Sequence, residues 1–297
     1  MGAGKKNDSK KRLSHGRPPA FQQPKALSSK ATKILINKHH VLEKKKVQAV
    51  LRKDQYTFDA VESEIQALGG IEAYQQASLQ GQRNDRGGDS SRVLMEWLKS
   101  IAVTLKERPL RMLEVGALSV TNACSRSGCF LMERIDLNSQ APGILQQDFM
   151  KRPLPKTESE RFDAISLSLV LNFVPDPRQR GTMLWRTIAF LRDPTKAEPA
   201  FHGFFPSLFL VLPAPCIANS RYIDDQRLNQ IMESLGFKLV RSKVTSKLVY
   251  YLWWRMPSML KADPSLERKL ELRSGSTRNN FAILLDSSWP GWATTSL

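Results

Sequence analysis

The sequence predicts an α/β fold, a Rossmann-like sheet preceded by N-terminal helices and a basic disordered arm, on three observations. Arg111-Met112-Leu113-Glu114-Val115-Gly116 reads as an apolar strand that ends in a glycine turn. Twenty positions past Gly116, Asp136 stands in a second such run, Arg134-Ile135-Asp136-Leu137-Asn138. Phe162 to Val170 is apolar without sustained polar alternation, as a central strand covered on both faces should be. A glycine at one strand end lets backbone approach a ligand, and a carboxylate at the next strand tip accepts from ribose hydroxyls, so the pair outlines an adenosine pocket.

What is missing narrows the ligand. A dinucleotide needs G-x-G-x-x-G to seat a pyrophosphate on a helix N-terminus, whereas Ala117-Leu118-Ser119 follows Gly116 here. S-adenosylmethionine has no pyrophosphate and demands less of that turn. Glu114-x-Gly116 is then a reduced form of the acidic-x-glycine opening of class I S-adenosylmethionine-dependent methyltransferases, although such a run also ends ordinary strands. Asp148, twelve positions after Asp136, lies in Gln147-Asp148-Phe149, where these enzymes hold the adenine. Its carboxylate can take the exocyclic amine and the Phe149 ring can pack on the adenine face. The candidate cofactor residues are therefore Glu114, Gly116, Asp136, Asp148 and Phe149. A nicotinamide oxidoreductase is disfavoured by the lost glycines and the lack of a proton donor.

The central strand closes in Asn172-Phe173-Val174-Pro175. With Leu113 to Gly116, Arg134 to Asn138, Pro142 to Phe149, Ser166 to Pro175 and Arg278-Asn279-Asn280-Phe281-Ala282, the chain resembles the fungal 25S rRNA adenine-N(1)-methyltransferase family over roughly positions 60 to 286. The resemblance takes in Leu68-Gly69-Gly70-Ile71-Glu72-Ala73-Tyr74-Gln75 and Arg86 to Ser91 ahead of the sheet. It implies S-adenosylmethionine contacts at Gly116 and Asp136, and formation of N1-methyladenosine in large-subunit rRNA during ribosome biogenesis, on free rRNA or on a pre-ribosomal particle. A related animal protein shares these motifs but serves as an S-adenosylmethionine sensor. The alternative is accordingly a non-catalytic cofactor-binding regulator or ribosome-assembly factor.

Asn172 and Phe173 are the candidate catalytic pair. They stand where adenine-modifying relatives carry an Asn-Pro-Pro-aromatic element, from which Phe-Val-Pro after the Asn departs. An Asn amide can accept from the exocyclic amine and donate to a ring nitrogen, and a Phe face can stack a base for about 1–3 kcal/mol. The competing reading is a strand end whose Phe is core and whose Asn makes a turn. Adenine N1 already has a free lone pair at neutral pH, so the absence of a candidate general base is no obstacle; extracting and positioning the base is the main task.

The elements follow in order. Positions 1–53 hold fifteen Lys or Arg against Asp8 and Glu43, a net of +13 out of the chain's +17. Such an arm, poor in bulky apolar residues before Ile34, should be disordered alone, bind polyanions and serve as a nuclear or nucleolar address, unless it is merely a solubilising tail. From Ile34 to Lys53 apolar and basic residues alternate at helical spacing. Residues 57–105 read as two or three helices broken at Gly69-Gly70, with a polar loop over 80–89 and Ser90 or Ser91 as a cap. Gly181 to Leu191 and Tyr222 to Leu235 read as helices. Phe204 to Leu212 reads as a strand interrupted by Pro206, and Lys238 to Trp254 with Phe281 to Asp286 as the final strands. The division expected is 1–55 arm, 56–106 helical segment and 107–297 methyltransferase domain.

Cys124, Cys129 and Cys216 are too few for a disulfide framework and lack zinc-ligand spacing, and His15, His39, His40 and His202 are scattered, so no metal is expected. No segment is apolar enough to serve as a signal or membrane span, which points to a soluble intracellular protein of the nucleus and nucleolus.

Overall fold

The computed structural model describes residues 29–70, 73, 77, 88–139, 141–257, 260, 261, 263–286, 288 and 289. The first part of the basic arm, most of the helix expected over 71–79 and of the loop after it, and the Pro290-Gly291-Trp292 tail lie outside these residues. Within the arm, Ser29–Arg52 is a helix, α1, that starts five positions before the periodicity of Ile34 onward announces it. It turns back into α2, Gln55–Ala67, whose N-cap Asp54 accepts from Thr57 N at 2.9 Å and Thr57 Oγ1 at 2.6 Å. Leu42, Val61 and Ile65, with Leu68 packed against them, give this hairpin its own small core, and Lys38 pairs with Glu64 at 2.9 Å across it.

The sheet has seven strands: β1 Leu110–Val115, β2 Phe130–Asp136, β3 Leu145–Gln146, β4 Ala164–Ser168, β5 Ser207–Pro213, β6 Phe237–Val244 and β7 Leu248–Arg255. Their order is β3-β2-β1-β4-β5-β7-β6, with β1 to β5 parallel and β7 antiparallel to both neighbours. An antiparallel strand slotted between β5 and β6 is the arrangement that separates class I methyltransferases from dinucleotide folds, and it makes the expected Rossmann-like class concrete.

Burial explains why these segments pair here. Along β5, Leu208, Leu210 and Leu212 enter one core cluster while Phe209 and Val211 enter the other, the period of two that a strand covered on both faces requires. One face is covered by α6, Pro177–Phe190, and α8, Asp225–Ser234, through Leu184, Ile188, Leu228 and Ile231. The other is covered by α3, Ser91–Trp97, and α4, Ala102–Glu107, through Leu94, Leu98 and Leu105. Among the described residues the other α-helices are short: α5, Ala123–Arg126, and α7, Ala214–Ala218. At the sheet's edges lie the two-residue β3 and β6, which has a register shift between Leu239 and Arg241 and exposes Lys238, Arg241 and Lys243.

Three expectations need correction. Phe281 to Asp286 is not a strand: the apolar run reports burial, and Ile283 and Leu285 are 3% and 2% exposed, but it lies along α6 with Leu284 N donating to Pro177 O at 3.0 Å. Helix α6 starts at Pro177, four positions before Gly181, because Asp176 caps it by accepting from Arg178 N and Gln179 N and a proline suits its first position. Pro206 does not interrupt β5, which begins just after it.

Candidate functional site

In an open α/β sheet, ligands sit beyond the carboxyl ends of the strands where the strand order reverses, here between β1 and β4. The register Val115↔Ile135 and Val115↔Leu167 brings Gly116, Asp136 and the segment after Ser168 to that one edge. Gly116 has φ +72°, which L side chains rarely adopt, and donates from its N to Ile135 O at 2.8 Å. A Cβ there would stand 2.5 Å from Val170 Cγ2, so the glycine turn and the segment leading to Asn172 abut.

Glu114 is held by a side-chain network. Both its carboxylate oxygens accept from Asn122 Nδ2, at 2.8 and 3.0 Å, and Asn122 Oδ1 in turn caps α5 by accepting from Ser125 N. Burial pushes its pKa up to about 7, against the opposing pull of Asn122 and of Arg134 on the neighbouring strand. A buried carboxylate whose pKa is raised in this way would be stabilised in its charged form by an incoming cation.

Asp136 ends β2 with Oδ1 accepting from Asn138 N at 2.8 Å, and Gln147 N donates to its carbonyl at 2.8 Å. Asp148 is held in the same way, Oδ1 accepting from Met150 N at 2.8 Å. Phe149 does not present its ring to the edge. It is 3% exposed, packs on Phe190 at 5.3 Å and lies under the Arg186 guanidinium, so its ring is committed to the core and its service is to anchor the Asp148 turn.

Beyond β4 the chain kinks. Leu169 takes φ +59°, a strained value for a non-glycine residue, and Phe173 N closes a turn onto Val170 O at 2.9 Å. In that turn Asn172 Oδ1 is buried and has no hydrogen-bond partner. Buried acceptors of this kind are uncommon, and a water or a bound group could satisfy this one.

Residues that the motif reading passed over complete the edge. Asp89 accepts from Ser91 N at 2.9 Å and from Ala123 N, tying the start of α3 to α5. Ser90 does not cap α3 through its side chain; its Oγ lies 2.8 Å from Ser168 Oγ at the tip of β4. The Asp-Ser-Ser string and Asn122 before a short helix were the visible signals, both of capping type. A cavity of about 600 Å³ lies elsewhere, lined by Glu158, Arg161, Asp193, Lys196 and Arg255. Arg255 N bonds to Pro206 O just before β5, so this cavity is at the amino ends of the parallel strands, the wrong end for a cofactor. Among the described residues no group of three His, Cys, Asp or Glu could hold a metal, and no helix is long and apolar enough to cross a membrane.

The profile of the family described as 25S rRNA (adenine(2142)-N(1))-methyltransferase, Bmt2, matches residues 59–283. A 25S rRNA adenine-N(1) methyltransferase of Schizosaccharomyces pombe is 40% identical over 260 residues, covering 86% of this chain and 91% of that protein. A 25S rRNA (adenine(2142)-N(1))-methyltransferase of Saccharomyces cerevisiae is 38% identical over 225 residues, covering 75% of this chain and 62% of that longer protein. Among solved structures the 16S rRNA methylase RmtB aligns at 12% identity and TM-score 0.42, over 72% of this chain and 89% of its own. A SAM-dependent methyltransferase from Aquifex aeolicus aligns at 13% identity and TM-score 0.33, over 56% and 93%.

Proposed function

The chain belongs to the 25S rRNA adenine-N(1)-methyltransferase family, and we propose that it methylates N1 of an adenosine in large-subunit rRNA, using S-adenosylmethionine, at the edge shared by Gly116 and Asn172. The observation that carries this reading is the unpartnered Asn172 Oδ1 in a turn that abuts the cofactor glycine through Val170.

When bound, S-adenosylmethionine would supply an electrophilic methyl group to adenine N1 and leave as the neutral thioether, so the target adenine would take up the positive charge. Gly116 leaves room for the donor against the β1 turn, Asp136 accepts from its ribose hydroxyls, and Asp148 takes its exocyclic amine. Glu114 meets its cationic end. Asn172 Oδ1 accepts from the exocyclic amine of the target base. That amine becomes a stronger donor as the ring gains charge, so the contact tightens in the transition state and contributes to rate as well as binding. Phe173 supplies a face for the base drawn from its stack.

Incubating the purified protein with labelled S-adenosylmethionine and unmodified large-subunit rRNA, then analysing nucleosides, tests the reading. Labelled N1-methyladenosine is expected; cofactor binding without modification of rRNA or pre-ribosome would leave a regulator in its place.

The same proposal assigns RNA delivery, to pre-ribosomal particles in the nucleolus, to the basic segment, with 107–297 as the catalytic unit. Helix α1 supports it by exposing Lys38, Lys45 and Arg52 at seven-residue spacing along one face. RNA affinity should fall steeply with salt, with a log–log slope near −0.7 for each single-strand phosphate neutralised. Removing positions 1–28, which carry seven Lys or Arg against Asp8, should flatten the slope and leave cofactor affinity unchanged. An unaltered slope together with unaltered nucleolar accumulation would refute the assignment.

A further inference from the structure

Arg180 is 2% exposed, yet its guanidinium forms no ion pair among the described residues. Its donors go to main-chain carbonyls instead: Nε to Val174 O at 2.8 Å, Nη2 to Pro175 O at 3.3 Å and Nη1 to Ala282 O at 2.6 Å. Its flat face lies 4.3 Å from the centre of the Phe281 ring. Burying a cation without a direct ion pair is costly, and burial lowers its pKa to about 10 against the weaker opposing pull of Cys216 and of Asp176 at the start of α6. An aliphatic side chain would fill the space more cheaply, so what the arginine contributes is the rigid fork that reaches two segments at once.

Those two segments are Val174-Pro175, which directly follows the Asn172-Phe173 turn and fixes its exit into α6, and the C-terminal run 281–285. The second is itself immobilised. A Cβ on Gly181 would lie 1.9 Å from Leu284 O, Leu284 N donates to Pro177 O at 3.0 Å, and Ser220 Oγ donates to Phe281 O at 2.5 Å. The C-terminal run is thus a fixed post on α6, and Arg180 ties the acceptor turn to it. None of these contacts involves Gly116, Glu114, Asp136 or Asp148.

We propose that Arg180 is a positioning residue for methyl transfer: it sets the Asn172-Phe173 turn, and through it the target adenine, without contributing to the hold on the methyl donor. This rests on the reading of Asn172 and Phe173 as base-facing residues.

The test compares the parent chain with Arg180→Met and Arg180→Lys for melting temperature, S-adenosylmethionine affinity by calorimetry, and steady-state N1-methyladenosine formation on unmodified large-subunit rRNA from pH 6.5 to 9. Arg180→Met is expected to keep cofactor affinity within about twofold while kcat falls by about twentyfold or more and KM for RNA moves much less. Arg180→Lys is expected to regain part of kcat at low pH only. A buried lysine held only by the distant charges of Asp176 and Cys216, with no direct ion pair, loses its proton far more readily than arginine, so this variant should lose activity as pH rises while the parent does not. Parental kcat in a folded Arg180→Met, or an equal loss of cofactor affinity and kcat, would overturn the proposal. Should Arg180→Met fail to fold, Arg180→Lys decides: a pH profile parallel to the parent's overturns the proposal, and a falling one supports it. A parent that forms no N1-methyladenosine removes the base-positioning reading and this one with it, whereas an active parent with an unaffected Arg180→Met removes this one alone.

Discussion

Gly116→Arg is expected to abolish S-adenosylmethionine binding and methylation together in a protein that still folds. At φ +72° an L side chain costs about 1–2 kcal/mol in backbone strain. The added Cβ would also stand 2.5 Å from Val170 Cγ2, and the rest of the arginine would have to enter the space assigned to the donor. Asp136→Ala is the milder partner. It removes a charged acceptor worth roughly 1.5–3 kcal/mol, which weakens binding by about ten- to hundredfold. Calorimetry on variants with parental circular dichroism measures both, and unchanged affinity in the two would dismiss the proposed cofactor edge.

Asn172→Ala is expected to lower N1-methyladenosine formation at least tenfold with cofactor affinity intact. Oδ1 has no partner in the protein to lose, so the substitution should cost little stability. In the substrate complex it leaves the exocyclic amine unpaired in a desolvated site, at about 1–3 kcal/mol, and misplacement of the attacking nitrogen adds to that. Phe173→Ala should act in the same direction through lost stacking. Single-turnover measurements with saturating cofactor separate chemistry from binding; parental rates in both variants would show that the turn does not hold the base.

The sheet was legible because central parallel strands must be apolar on both faces, and a glycine at one strand tip with an acid at the next marked the edge where the cofactor is proposed to sit. The register then placed Gly116, Asp136 and Asn172 at one edge. What stayed illegible were partners. Phe281 to Leu285 has the burial of a strand without its ladder, since apolarity records only that a segment is inside. Phe149 reads as a ligand face from its place beside Asp148, but a ring's direction is decided by Phe190 and Arg186, far along the chain. Arg180 carries no signal of its own in the sequence. Gly181 was the available hint, since a lone glycine inside a helix marks close approach by another backbone, here that of Leu284.

The two ends of the sheet bear on how such a basic protein behaves when many copies gather on one polyanion. An unpaired strand offers a row of free donors and acceptors to a neighbouring molecule, and crowding on RNA raises the odds of such an encounter. Here one rim offers two residues, Leu145–Gln146, and the other is bent at Leu239 to Arg241 and studded with lysine and arginine. Both features disfavour pairing with a further strand, so neither rim adds a ready template for cross-β growth between neighbouring molecules.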